Sequence, residues 1–253
     1  MFDSYKDVDA YKEQNGYIIN GTWYPRVTKI VSIKAKPALM YFYGEAASYK
    51  AAKAITEKSA EEGTLIHEIS EAMLLGKNPE IPLSVAPAIA AFADFMEMKN
   101  IQTMPEYVER RISHVGHRYA GTIDAMALID GKFGVLDIKT SQGIYRDYNL
   151  QTAAYVEALT DEFKNLQTRW ILRIDQIQDC MQCGATMRTK GGREKIKRPF
   201  RGQTCSSHEW APTRGVIELK EFPYWHDDFQ AFLGAKKLWE WEDSEWLKKI
   251  GYI

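Results

Sequence analysis

Cysteine is scarce in this chain: 3 in 253 residues, all between positions 180 and 205. An odd, bunched set is not the framework of a disulfide-stapled secreted domain. Long apolar runs are missing too, and none approaches the roughly 18 residues that suggest a membrane span. Neither sign of charge is in excess. With 33 Lys and Arg against 34 Asp and Glu, the formal net charge is −1. Any binding to a polyanion must therefore use a local basic patch rather than the whole surface. The opening MFDSYKDVDAYKEQNGY is acidic and polar, unlike a signal peptide or an Arg-rich transit peptide. Internal repeats and low-complexity tracts are absent. What remains is ordinary: 45% apolar and 26% charged residues describe a globular chain. Its length suits one large domain or two small ones. These exclusions predict a soluble cytoplasmic protein that does not engage a membrane.

The element pattern is mixed. Residues 17–31 predict a short hairpin turning at Asn20-Gly21, then a strand or helix start. Residues 38–75 predict largely helix with a break near Glu62-Gly63, and 85–99 another helix. EYVERRISHV reads as a strand, 147–159 as an amphipathic helix, RWILRID (169–175) and RGVIELKEF (214–222) as strands, and 227–249 as Trp-rich helix. Trp239, Trp241 and Trp246 are expected in a core or interface rather than as base platforms. This order implies an α/β (α+β) fold with a central sheet.

The most informative stretch is GTIDAMALIDGKFGVLDIKT, residues 121–140. Asp130-Gly131 signals a two-residue type I′ turn, because both central positions need positive φ. With that turn, Ile129 faces Lys132 and Asp124 faces Asp137. Lys139 then shares the face of Asp137. A bulge at Gly134 would shift this register. Carboxylates directly opposite each other repel, and a divalent cation is the natural compensation. On spacing alone, a solvated hairpin face accounts for the charges equally well.

Other pieces stand in order around the hairpin. His67 and Glu71 lie four apart in GTLIHEISE (63–71), Glu109 lies on the preceding strand, and Gln151 and Tyr155 lie four apart in QTAAY. With GTID (121–124), DIKT (137–140) and the upstream RVTKIVS (26–32), this series resembles the RecB-like branch of the PD-(D/E)XK nucleases. RVTKIVS also resembles the entry segment of the phage-type and mitochondrial genome maintenance exonucleases of that branch, and the resemblance covers roughly residues 22–160. The resemblance implies a restriction-endonuclease-like core. It implies Mg²⁺ or Mn²⁺ held by Asp124, Asp137, His67 and the backbone carbonyl of Ile138. Glu71 and Glu109 would bind a second ion or its waters. Lys139 would orient or activate the attacking water, and Gln151 and Tyr155 would support the site and touch the nucleic-acid backbone. The second acid is Asp rather than Glu, which the family permits. Oxygen donors of this kind suit Mg²⁺ and Mn²⁺.

The cysteines form Cys180-x2-Cys183 and Cys205-x2-His208, with Gly184 at the first knuckle. This is the spacing of a structural Zn²⁺ ribbon. Between the pairs, residues 188–201 carry seven Lys or Arg (Arg188, Lys190, Arg193, Lys195, Lys197, Arg198 and Arg201) and one acid, Glu194. The expectation is a zinc-held basic finger beside the DNA track, with Phe200 as a candidate stacking ring. A solvated loop is the plainer alternative.

The expected organisation is thus a nuclease core (1–179), an inserted zinc-binding basic finger (180–208), and a return strand with C-terminal helix (209–253). The expected function is metal-dependent DNA exonuclease activity on single-stranded or end-resected DNA in recombination, repair or replication, in a bacterial or phage-infected cell. A recombination or single-strand-binding protein is an expected partner. The rival functions are a flap endonuclease on the same site and a non-catalytic nucleic-acid-binding protein using the zinc finger.

Overall fold

A computed structural model describes residues 5–199, 202 and 204–253. Phe200 and Arg201 lie outside the described residues, and the expectations placed on them go no further. The chain opens with helix α1 (Val8–Asn15), which the sequence reading passed over. Its start is marked by Asp7, whose carboxylate accepts the Ala10 amide at 2.8 Å, a standard N-cap. Strands β1 (Gly16–Ile19) and β2 (Thr22–Pro25) form the expected hairpin. Asn20 and Gly21 take φ of 49° and 77°, as a type I′ turn requires. Helix α2 (Val27–Val31) follows.

The next helical region differs from expectation. It divides into α3 (Pro37–Glu45) and α4 (Tyr49–Leu74), with no break at Glu62-Gly63. The division falls at Ser48, whose hydroxyl accepts the Ala51 amide at 3.1 Å and caps α4. Gly63 stays inside α4 for a tertiary reason. A Cβ there would lie 2.7 Å from Thr140 Oγ1, so glycine lets the helix press against the end of the DIKT strand. Helix α5 (Ala86–Met98) completes this half.

The sheet is built from β3 (Val108–His114), β4 (Tyr119–Ile129), β5 (Lys132–Lys139), β6 (Thr168–Asp179), β7 (Thr186–Lys190), β8 (Arg193–Lys197) and β9 (Arg214–Glu221). It is a seven-stranded mixed sheet in the order β3-β4-β5-β6-β7-β8, with β9 also paired to β6. Helix α6 (Asp147–Leu159) crosses over between the parallel strands β5 and β6. Past the end of β6 the chain runs through the cysteine segment and the β7–β8 hairpin, which continues the sheet, and returns antiparallel on β9. Gly134 marks no bulge, since it pairs regularly with Ala127. A Cβ there would stand 2.2 Å from the Thr168 carbonyl, so its role is close approach of β5 to β6.

Helices cover both faces. One core joins α2 and α6 to α7 (His226–Glu242) through Ile30, Val156, Phe232 and the strand residues Ile123 and Val135. The other joins α4 and α5 through Ile69 and Phe92 to Leu136, Ile138 and Leu172. Each fully buried side chain of this size contributes about 1.5–3 kcal/mol. A short α8 (Ser244–Lys249) follows α7. Trp239 is buried and Trp246 packs at the core edge, whereas Trp241 is 70% exposed and is not a core residue. Among the described residues no helix is long and apolar enough to cross a membrane.

Candidate metal centre

The hairpin register is the expected one up to a point. Ile129 pairs with Lys132 and the ladder continues to Ala125–Leu136. Asp124 and Asp137 come next, and there β4 and β5 part. Ile123 belongs to one core and Ala125 to the other, although residues two apart on a regular strand share a face. The strand therefore turns over at Asp124. On β3, Glu109 lies between the Val108–Ala125 and Arg110–Ile123 pairs and adopts φ of 51°, a left-handed conformation that strains a non-glycine residue. In place of a ladder bond, the Ile138 amide donates to Asp124 Oδ2 at 2.5 Å. The two acids are thus not a simple cross-strand pair. Asp124 turns toward α4, and Asp137 toward α6.

From α4 come His67 and Glu71, one turn apart. His67, Glu71 and Asp124 offer ligand atoms that all lie within 4.8 Å of one another. His67 Nδ1 is 3.9 Å from Asp124 Oδ2. Burial, and then the charge of Lys139, push the imidazole down to about 4, so it is neutral and able to coordinate at physiological pH. Glu71 is pushed up to about 8 by burial, by its hydrogen bond and charge contact with Glu109, and by Asp124. Asp124 rises to about 6 through burial, although Lys139 and the Ile138 amide work against the rise. These shifts mark carboxylates crowded together with too little positive charge.

From α6 come Gln151 and Tyr155. Gln151 Nε2 donates to Asp137 Oδ1 at 3.1 Å and to the Tyr155 hydroxyl at 3.0 Å. Gly121 makes room for this: a Cβ there would lie 2.4 Å from Tyr155 Cε1. Asp137 Oδ2 is 2.5 Å from Lys139 Nζ, yet it has no well-aligned hydrogen bond. Asp137 is also raised to about 6, by burial first, with Lys139 opposing and Asp124 adding. Lys139 itself is held above its ordinary value: burial lowers it, but Asp137 and Asp124 outweigh that. Its ammonium also donates to the Ile138 carbonyl at 3.3 Å, so this carbonyl faces the polar side while the Ile138 side chain is buried.

Every acid, base and amide expected here from the sequence falls in one place, at the splayed end of β4 and β5. Within it, Glu71 rather than Asp137 completes the tight ligand set around Asp124. The sequence reading missed Tyr148, whose ring centre lies 5.2 Å from Lys139 Nζ. It precedes Gln151 by three and Tyr155 by seven, so its helical spacing was the available signal.

No protein-family model matches this chain, and no curated protein matches it.

A second cluster stands at the base of the β7–β8 hairpin. The thiols of Cys180, Cys183 and Cys205 are free, and with His208 they gather their ligand atoms within 4.8 Å. Sulfur–sulfur separations are 3.5 and 3.6 Å, and three sulfur–Nδ1 separations span 3.1 to 3.7 Å. A tetrahedral ion at ordinary Zn–S and Zn–N lengths sets edges near ~3.8 and ~3.5 Å. Gly184 takes φ of 72°, the turn expected after the first cysteine pair. Burial opposes ionisation of Cys180, but amide and His208 hydrogen bonds prevail and bring it down to about 6. The cluster can hold a metal ion.

The basic segment is a hairpin rather than a loose finger, and its cations divide in two. Arg188 Nε bonds both oxygens of Asp175 at 2.7 and 2.8 Å. Lys190 donates to the Thr140 carbonyl, and burial pushes it down to about 8. These two are half-buried and engaged by groups of the protein itself, although both still line a cleft beside the hairpin. Arg193, Lys195, Lys197 and Arg198 are exposed.

Proposed function

We propose that this chain is a metal-dependent nuclease of the RecB-like PD-(D/E)XK kind, with a restriction-endonuclease-like core, acting as a DNA exonuclease. The observation that carries the reading is the convergence at one strand splay of Asp124, Asp137, His67, Glu71 and Lys139. Its fit to a divalent cation rests on the crowding of Glu71, Glu109 and Asp124 and on the ligand atoms of His67, Glu71 and Asp124, which all lie within 4.8 Å of one another. His67, Glu71, Asp124, Asp137 and the Ile138 carbonyl would hold Mg²⁺ or Mn²⁺, with Glu109 beside Glu71. When bound, the ion supplies positive charge to the phosphate and acidifies water at the site. The protein's own part is positioning. Lys139, kept as an ammonium by its two acids, orients a water or a phosphate oxygen by charge and hydrogen bonding rather than acting as a base. Gln151 fixes the Asp137 carboxylate, and Tyr155 fixes Gln151. For the cysteine cluster we favour structural Zn²⁺, since three thiolates and an imidazole form a closed, soft donor set.

The test is Mg²⁺- or Mn²⁺-dependent digestion of linear and circular single-stranded DNA by the wild type beside Asp137→Ala. Loss of linear DNA alone, abolished by the substitution, is the expected result. Cleavage of circles would favour an endonuclease. No cleavage, or equal cleavage by both proteins, would remove the nuclease reading in favour of a binding protein.

A further inference from the structure

Helix α3 has no buried residue, although it reads PALMYFYGE. Met40 and Tyr41 are 65% and 68% exposed. An apolar, aromatic helix left this bare has a partner still to meet. Across from it stands the β7–β8 hairpin, and between them lies a cleft of about 390 Å³. Leu39 and Phe42 of α3 line one wall, Ile55 and Ser59 of α4 another, and Arg193 and Lys195 the hairpin side.

The hairpin is held at both ends. Its base joins β6 at the Cys₃His cluster, where the Cys180–Trp210 bridge closes the segment. Its tip docks on α4: the Gly191 amide donates to Glu62 Oε1 at 3.1 Å. A Cβ on Gly191 would stand 2.2 Å from Ser59 Oγ, so no other residue fits this contact. Arg193 then reaches α3, with its guanidinium 4.7 Å from the Phe42 ring centre and 3.9 Å from Glu45.

The cleft adjoins the end of β5, which carries Lys139. Its floor is Thr140, Ser141 and Gln142, which follow Lys139 directly. Tyr145 lines it and meets the edge of Tyr148 at 5.7 Å, and Tyr148 in turn faces Lys139. Exposed cations and flat rings thus alternate along one path. That combination matches an anionic backbone carrying unpaired bases. A duplex hides its base faces from such rings. We infer that this cleft is the track for a single unpaired strand of nucleic acid. Phosphates lie along Arg193 and Lys195, bases meet Phe42 and Tyr145, and a metal ion on Cys180, Cys183, Cys205 and His208 keeps the hairpin in place as the basic wall. The inference deepens the nuclease reading and rests on it for direction.

The test measures binding apart from cleavage. A fluorescein-labelled dT20 strand and a blunt duplex of the same length are titrated without added divalent ion. Hydrolysis of bis-(p-nitrophenyl) phosphate with Mn²⁺ is followed in parallel, since so small a diester does not need the cleft. Expected are preference for dT20 and at least tenfold weaker binding for Arg193→Gln/Lys195→Gln. The slope of log affinity on log salt should fall by about 1.4, roughly 0.7 per lost contact to a single strand. Phe42→Ala should weaken dT20 binding about tenfold. Cys205→Ser should lose the one equivalent of bound metal together with the dT20 affinity. The inference is overturned by equal affinity for duplex, or by an unaltered affinity and salt slope in the Arg193/Lys195 variant. A dimer in solution that Met40→Glu dissociates with dT20 binding intact would assign α3 to a second copy and overturn it too. A Cys205→Ser protein without metal that still binds dT20 as tightly overturns the role of the ion. Small-diester hydrolysis failing in the wild type while these binding results hold would instead sink the nuclease reading and leave the track standing.

Discussion

Among the described residues two clusters could hold a metal ion, and they are built on opposite principles. The carboxylate centre is assembled from α4, β4, β5 and α6, so its ligands come from elements that the two cores already hold. The Cys₃His cluster is assembled from a short segment whose neighbours, Thr186–Lys190 and Arg193–Lys197, bury little apolar surface of their own. In the first, the fold holds the site in a state of electrostatic stress: Glu71, Asp124 and Asp137 are all raised, and Glu109 is held at positive φ. In the second, a bound ion would hold the segment. The difference teaches that a working centre tolerates strain because its scaffold is independent of it. A structural centre has no such reserve.

The sharpest way to break the comparison is to remove one ligand from each. Cys205→Ser should uncouple the β7–β8 hairpin, because metal affinity in such a segment is folding free energy. Hydrogen exchange at Met187, Thr189 and Ile196 amides should accelerate by on the order of 10²-fold or more, with β4 and β5 unchanged. Asp124→Asn should do the reverse. It relieves a like-charge contact while an amide oxygen can still accept from Ile138, so the metal-free protein should melt higher at neutral pH, by roughly 1 kcal/mol or more of stability. Equal loss of stability in both variants would erase the distinction.

Dependence on pH sharpens it further. Asp124 and Asp137 rise from 3.8 to about 6 on folding, and Glu71 from 4.5 to about 8. The folded state therefore holds these protons more tightly, and stability falls as pH rises through 4 to 8. His67 goes from 6.5 down to about 4, so by itself it makes stability rise over 4 to 6.5. Three acids outweigh one imidazole. Without added divalent ion, the melting temperature should be lower at pH 8 than this component gives at pH 5. Millimolar Mn²⁺ should restore more at pH 8 than at pH 5, because only the ionised carboxylates bind it. A metal shift of equal size at both pH values would count against the carboxylate centre.

Much of this was legible from the sequence, for identifiable reasons. The Asp130-Gly131 turn gave the ladder from Ile129–Lys132 to Ala125–Leu136, since turn chemistry is local, but not the expected Asp124–Asp137 pair beyond it. Spacing gave the Cys₃His cluster and the Gln151–Tyr155 face. The splay was not legible, because it arises where β4 passes from one core to the other, and that depends on helices far away in the chain. Nor was the division of the cations. Arg188 and Lys190 look like Arg193 and Lys195 in sequence, but Asp175 and the Thr140 carbonyl claim the first pair. The helix break expected at Gly63 failed for a related reason. Local propensity marks glycine as a breaker, while here it is a point of tertiary contact.

Gly63 also supplies the finest test of how far the carboxylate centre depends on its scaffold. In an exposed helix, Gly→Ala gains about 1 kcal/mol. Here the added Cβ meets Thr140 Oγ1 at 2.7 Å, so either the threonine rotates or α4 shifts by a few tenths of an ångström. His67 lies one turn further along α4, so a shift of the helix also moves a ligand of the centre. Gly63→Ala should therefore leave stability within about 1 kcal/mol of wild type. It should lower kcat for DNA cleavage by roughly tenfold, since small misplacements of catalytic groups carry such penalties. Thr140→Ala removes the obstructing oxygen, and the double variant should recover both the helix propensity and the rate. The coupling between the two positions, read from the four proteins as a double-mutant cycle, should thus be positive and of order 1 kcal/mol. Additive effects would mean that α4 does not bear on the DIKT strand through this contact, and that the position of His67 is set elsewhere along the helix.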